Sequence, residues 1–206
     1  LHDAIHHQHG YVKTSCPVTA ITQTGTDIQV TTPDGNFTAP RLVLAAGLGN
    51  RVLAPFLGLE QAVKPQRGQI MVTEKLPVQI RYPMVTLRQT AEGTIMIGDS
   101  HEDVGLDVSS TRPVMAEIAS RAQRILPSLS QAQIIRSWAA LRVMSPDGYP
   151  IYDQSPSIAG AFAVTCHSGV TLAAAHALDL ARCIHDGHLS PHLTAFSERR
   201  FDVSAA

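Results

Sequence analysis

The spacing of apolar positions changes along the chain, and the changes divide it into segments. Val18-Thr-Ala-Ile-Thr is followed by Ile28-Gln-Val-Thr-Thr, which alternates apolar and polar residues with a period of two, as half-buried strands do. Turn residues around Gly25 separate them, and Pro33-Asp34-Gly35 leads to a third short strand at Asn36 to Ala39; together they predict a β-meander. Arg41-Leu-Val-Leu-Ala-Ala-Gly47 is different, because its apolar residues are contiguous, as in a parallel strand covered on both faces. Beyond Gly49, Pro65 to Thr73, Ile80 to Leu87 and Thr94 to Asp99 read as strands broken by proline and glycine. Over Arg112 to Leu126 the period lengthens. Val114, Ile118, Ala122 and Ile125 fall on one stripe, which predicts a helix stopped by Pro127. Ile134 to Leu141 predicts a further strand, Ser145-Pro-Asp-Gly148 a turn, and Gly160 to Thr165 a short apolar strand. Leu172 to His185 predicts a long helix with Ala, Leu and Ile on its inner face, and Leu1 to Gly10 the tail of another, ended by Gly10.

The pattern therefore mixes a parallel α/β layer at both ends with an antiparallel sheet between them. With 206 residues, 44% of them hydrophobic, the chain can bury roughly 70% of its unfolded surface and needs no disulfide or metal staple. A formal net charge of -1 with scattered basic residues lacks the electrostatic footprint that nucleic acid requires. Cys16, Cys166 and Cys183 show no CxxC spacing and read as reduced thiols, the usage of a cytoplasmic protein. No apolar run approaches the ~20 residues that span a bilayer. The sequence starts at Leu1 rather than Met, so a trimmed or truncated chain is expected.

Three segments have chemical potential. The strand ending Ala45-Ala46-Gly47 lets backbone pass close to a bound group, although a plain strand-to-loop glycine has the same sequence. Cys166-His-Ser-Gly-Val-Thr171 lies between a buried strand and a helix. Helix-start N–H groups in that layout favour negative charge, a phosphate or the edge of a reduced flavin; simple capping by Ser168 or Thr171 is the alternative. In Trp138-Ala-Ala-Leu-Arg-Val-Met-Ser-Pro-Asp-Gly-Tyr-Pro150, Arg142 ends an apolar strand and could aim its guanidinium fork at a carboxylate. An ion pair with an aspartate such as Asp147 would explain it equally.

Taken together, Val18 to Ile21, Leu42 to Gly47, Pro65-Gln-Arg-Gly-Gln69, Trp138 to Pro150 and His167-Ser-Gly-Val-Thr-Leu172 resemble the FAD-dependent D-amino-acid oxidase and glycine oxidase superfamily. They stand in that family's order at about its spacing, and the run from Cys166 is similar to opine-oxidase-like and hydrogen cyanide synthase-type subunits. The resemblance implies the C-terminal portion of a discontinuous two-domain flavoprotein. Residues 1–50 and 138–206 would belong to a doubly wound FAD-binding domain, and 51–137 would form an inserted antiparallel substrate domain. It implies that Val18 contacts the adenine region through its backbone, that Ala45, Ala46 and Gly47 line FAD, and that Arg67, Gly68 and Gln69 lie near the isoalloxazine. Arg142 would bind the carboxylate of an amino-acid or opine-like substrate, and His167, Ser168, Gly169, Val170, Thr171 and Leu172 would hold the pyrimidine end of the flavin. The implied reaction is oxidation of an amine to an imine by hydride transfer to FAD.

Two departures stand against the family pattern. The segment Val85-Thr-Leu-Arg88 lacks the tyrosine that many glycine-oxidase-like relatives place near substrate; Tyr82 is the nearest. The opening strand-GxGxxG-helix is also absent, since Gly47-Leu-Gly49 lacks a third glycine. A missing N-terminal segment or partner subunit is therefore expected, and the rival reading is a non-catalytic fragment or interaction module that binds no FAD alone. The ten histidines include His2 and His6 at i, i+4, but no HExxH or carboxylate partner completes a metal site.

Overall fold

The strand segments at the start of the chain form the meander they predict. In the computed structural model, which describes residues 1–202, β1 (Ala20–Thr24), β2 (Asp27–Thr32) and β3 (Gly35–Ala39) pair antiparallel in that order. Gly35 takes φ +115°, a conformation that side chains resist. Thr32 closes the same turn, accepting from the Asp34 N–H and donating to the Gly35 carbonyl. Ahead of the meander, α1 (His2–His7) is closed by His9, left-handed at φ +58°, one residue before the glycine expected to end it, and the Gly10 N–H donates to the Ile5 carbonyl at 2.8 Å.

The contiguous apolar run becomes β4 (Leu42–Leu44), shorter than its sequence suggests. The chain leaves the strand at Ala45 because Gly47 turns left-handed at φ +59°, opening a single 3-10 turn that runs into α2 (Asn50–Leu53). Lys64–Lys75 then forms β5, with β6 (Leu87–Gln89), β7 (Thr94–Ile97) and β8 (Ile134–Met144) around it. All are antiparallel, in the order β6-β7-β5-β8. The predicted helix is α3 (Arg112–Ile125), which packs Ile118 and Ala122 into a cluster with Met71, Leu87, Ile95, Ile97 and Leu129. Burying such side chains stabilises by about 1.5–3 kcal/mol each.

The strand expected over Ile80 to Leu87 does not form. Tyr82, Met84 and Val85 are exposed there, while Ile80 and Leu87 at the two ends pack against the core under α3. A side chain replaces the ladder: Gln89 accepts from the N–H groups of Gln79 and Ile80 and donates to the carbonyls of Leu76, Pro77 and Gly93.

Downstream, β9 (Ile151–Gln154) is a strand that periodicity did not announce; β10 (Ala161–Thr165) is the predicted one. β10 pairs parallel with β4 and antiparallel with β9. The last helix runs as α4 (Ala173–Ala175), a π-turn over His176–Leu180, and α5 (Ala181–Asp186), closed by Gly187 at φ +87°. Its expected inner face is not there. Leu180 is its only buried residue, while Leu178 is 60% exposed. No helix among the described residues is long and apolar enough to cross a membrane.

The chain divides into two compact units. One is Leu1–Ala62 with the chain from Gly148 onward; the other is Val63–Asp147. These boundaries correct the ones expected at 50/51 and 137/138. Residues 51–62 stay with the first unit because Ala54 and Leu57 pack among Leu44, Ala161 and Ala163. Residues 138–144 go with the second because they pair with Lys64 to Ile70 of β5. The last four residues of the expected 138–206 range lie outside the described residues.

Candidate functional site

In the antiparallel unit, strand alternation sorts the Pro65-Gln-Arg-Gly-Gln69 segment onto two faces. Arg67 and Gln69 point to the α3 side and are buried. Arg67 Nη2 donates to Glu102 at 2.6 Å and Nη1 to Asp107. Gln69 donates to Glu102 at 2.9 Å and to Thr111 Oγ1, and accepts from the Thr111 N–H at the head of α3. The Arg67 guanidinium, with hydrogen bonds from Ser100 and Gln69, overcomes burial and holds the Glu102 carboxyl at about 2. The Arg67 and Gln69 side chains therefore brace the unit from within. The period of the strand leaves Gly68, of the three residues expected near an isoalloxazine, on the other face.

That other face carries Arg142. It stands opposite Gln66 in the register of β8 against β5, and its side chain crosses β5 above Gly68. A Cβ at residue 68 would lie 2.5 Å from both terminal guanidinium nitrogens, so the crossing requires glycine. Beyond β5, Nη1 donates to the Ser100 carbonyl at 2.9 Å and Nη2 to Asp99 Oδ2 at 2.5 Å. His101 stands beside this pair, Nε2 at 3.4 Å from the same Oδ2 and Nδ1 at 2.9 Å from Gln66 Oε1. The ion-pair partner is thus Asp99 rather than Asp147. Arg142 nonetheless keeps 17% of its side chain exposed, enough for a small anion to reach it. Tyr82, the nearest tyrosine in sequence to the expected position, is 82% exposed in its loop.

In the other unit, Ala45–Gly47 and Cys166–Leu172 emerge at the same end of two paired parallel strands, the edge where open α/β sheets hold ligands. One residue ties these ends together. Asn50 is fully buried; its Oδ1 accepts from the Ala46 N–H at 2.9 Å, and its Nδ2 donates to the carbonyls of Leu44 and Val164 and to Thr165 Oγ1 at 2.7 Å. Sequence reasoning missed Asn50, whose one signal is an asparagine directly after Gly49. It also missed Asp99, read only as the end of the strand from Thr94, and His101 just beyond it.

Beyond β10, His167 to Thr171 are exposed, Val170 at 94%. Among the described residues, the N–H groups of Ser168, Gly169, Val170 and Thr171 meet no acceptor, while the Leu172 N–H returns to the Ser168 carbonyl. Unclaimed amides at the head of a helix, beside the short side chains of Ala45 and Ala46, fit a group with an electron-rich edge such as the pyrimidine side of a flavin. Burial pushes the Cys166 thiol up, away from thiolate chemistry. Burial and then Cys166 push the Tyr152 hydroxyl up to about 12, and it hydrogen-bonds His176 Nε2 at 2.8 Å. Val18 lines a cavity of about 350 Å³ with Lys13, Ile28, Val30 and Phe37.

The model of a known family, FAD dependent oxidoreductase (DAO), matches residues 1–183. The chain belongs to the DAO family of FAD-dependent oxidoreductases. It is 44% identical over 206 residues to an opine oxidase subunit of Agrobacterium tumefaciens (strain Ach5), covering 100% of this chain and 56% of that protein. An opine oxidase subunit of Rhizobium meliloti is 50% identical over 166 residues, 81% of this chain and 45% of its own length. Hydrogen cyanide synthase subunit HcnC of Pseudomonas aeruginosa is 33% identical over 172 residues, 80% of this chain and 41% of its own. The chain thus spans about half the length of the curated relatives it matches. Among solved structures, glycine oxidase from Geobacillus kaustophilus superposes with a TM-score of 0.82 at 21% identity, covering 91% of this chain and 53% of that one. At that identity the likeness is one of fold.

Proposed function

We propose that this DAO-family chain supplies the substrate-side portion of an enzyme that oxidises an amino acid or N-substituted amino acid, amine to imine. In this reading the antiparallel unit holds substrate and the unit containing β4 and β10 holds part of the cofactor. FAD, when bound, supplies the two-electron acceptor. The chain's own residues orient and stabilise. The unclaimed amides of Ser168 to Thr171 stabilise negative charge at the pyrimidine edge, an electrostatic contribution that needs no reorganisation. The Arg142 guanidinium grips the substrate carboxylate and so fixes the carbon–nitrogen bond to be oxidised; the imine product is then hydrolysed by water.

The observation behind this reading is Arg142 itself, an arginine carried across a neighbouring strand on a glycine and still open to solvent. A shielded arginine–carboxylate hydrogen bond is worth about 1.5–3 kcal/mol. Arg142→Leu in the FAD-loaded protein should therefore raise KM for carboxylate substrates by about ten- to a hundredfold. Unchanged steady-state kinetics would remove the role. The names of the relatives as subunits support a further polypeptide as partner.

The sparsely buried face of α4 and α5 favours a second reading, in which this chain is a non-catalytic or interaction portion. Titration with FAD separates the two. Visible flavin absorbance retained after gel filtration supports the first, and a colourless chain that takes up none supports the second.

A further inference from the structure

We propose that Asp99 is a specificity-determining residue, which selects zwitterions over plain carboxylates at Arg142. The inference rests on the reading of Arg142 as the carboxylate site. Asp99 and Arg142 form a neutral pair, 31% and 17% exposed, and neither has spent its capacity. Among the described residues, Asp99 Oδ1 accepts no hydrogen bond, and Arg142 Nε donates none; neither atom is enclosed. The arrangement is built rather than incidental. Arg121, from α3, donates to the carbonyls of Gly98 and Asp99. The Ser100 hydroxyl is held between the Gln69 N–H and Glu102, and His101 sits against Asp99 Oδ2, leaving Oδ1 outward.

A plain carboxylate approaching Arg142 meets a guanidinium whose charge Asp99 already offsets, so attraction and repulsion nearly cancel. A molecule with a cationic nitrogen next to its carboxylate lies antiparallel to the pair. Its carboxylate faces Arg142 and its cation faces Asp99, so both contacts are attractive. Selection then comes from a repulsive element as much as an attractive one.

The test uses two ligands of one shape, glycine betaine and the anion of tert-butylacetic acid, which differ in having nitrogen or carbon at the branch point. Neither can be oxidised to an imine. Calorimetric titration of the FAD-loaded protein should show betaine bound about tenfold tighter than the anion. Asp99→Asn, which preserves shape, should weaken betaine and strengthen the anion, reversing the order. Arg142→Leu should weaken both. If Asp99→Asn leaves the ratio unchanged while Arg142→Leu still weakens both, Asp99 has no such role and the carboxylate site stands. If Arg142→Leu changes neither, the carboxylate site falls and the selectivity with it. Wild-type protein that binds the two equally, prefers the anion, or binds neither also overturns the proposal.

Discussion

The two units bury their sheets in different ways. In the antiparallel unit, α3 lies on one face of a four-stranded sheet and closes a core with Met71, Leu87, Ile95 and Ile97. In the other, the three-stranded β4-β10-β9 sheet carries a strand, β4, whose sequence is that of an interior parallel strand but whose place is an edge. Val43 within it is 38% exposed, and the 14 residues from α4 through α5 contribute Leu180 alone to the interior. Parallel strands ordinarily have both faces covered. A strand and a helix whose sequences predict burial thus stand open in this chain.

Polar contacts at the ends of β4 and β10 add to the apolar cluster that holds the more open unit. Asn50→Ala removes four hydrogen bonds and leaves buried groups at the ends of β4 and β10 without partners, so it should cost about 3 kcal/mol. Urea unfolding would measure it, and a loss under about 1 kcal/mol would mean the apolar cluster suffices alone. The antiparallel unit should instead show its polar brace at low pH. Glu102 has its folded value depressed, from 4.5 to about 2. Its contribution is thus complete above the ordinary carboxylate range and is lost as pH falls from about 4.5 toward 2. The unfolding midpoint of the wild type should drop through that interval more steeply than that of Glu102→Gln; parallel profiles would sever the link. The smallest effect is expected on the open helix. Leu178→Ser should change stability by no more than about 0.5 kcal/mol, and a larger loss would mean that this face is packed in solution.

Much of the fold was legible because burial and period agreed. The meander, β10 and α3 all follow their apolar spacing. Ile80 to Leu87 failed because Tyr82, Met84 and Val85 between its buried ends face solvent and Gln89 satisfies the loop's backbone from outside it. A side chain standing in for a strand leaves no periodic trace. The boundaries shifted for a similar reason, since pairing of β8 along β5 is a long-range fact that local pattern does not encode. At the candidate site, Arg142 and the amide-rich turn were visible as an arginine at a strand end and a glycine-containing helix start. That Arg67 and Gln69 brace the unit from within was not legible, because a motif read as one block straddles two faces of a strand. Asp99, His101 and Asn50 are polar residues whose importance is set by partners far away in sequence.

The passage of Arg142 over Gly68 makes two distant positions into one mechanical part. The strand bearing the arginine is only its footing, and the charged tip works on the far bank of the neighbouring strand, steadied by a carbonyl and a carboxylate there. Shortening the span to lysine would remove the second nitrogen that grasps that bank, and adding even one methyl group beneath it would lift the whole bridge off its bed.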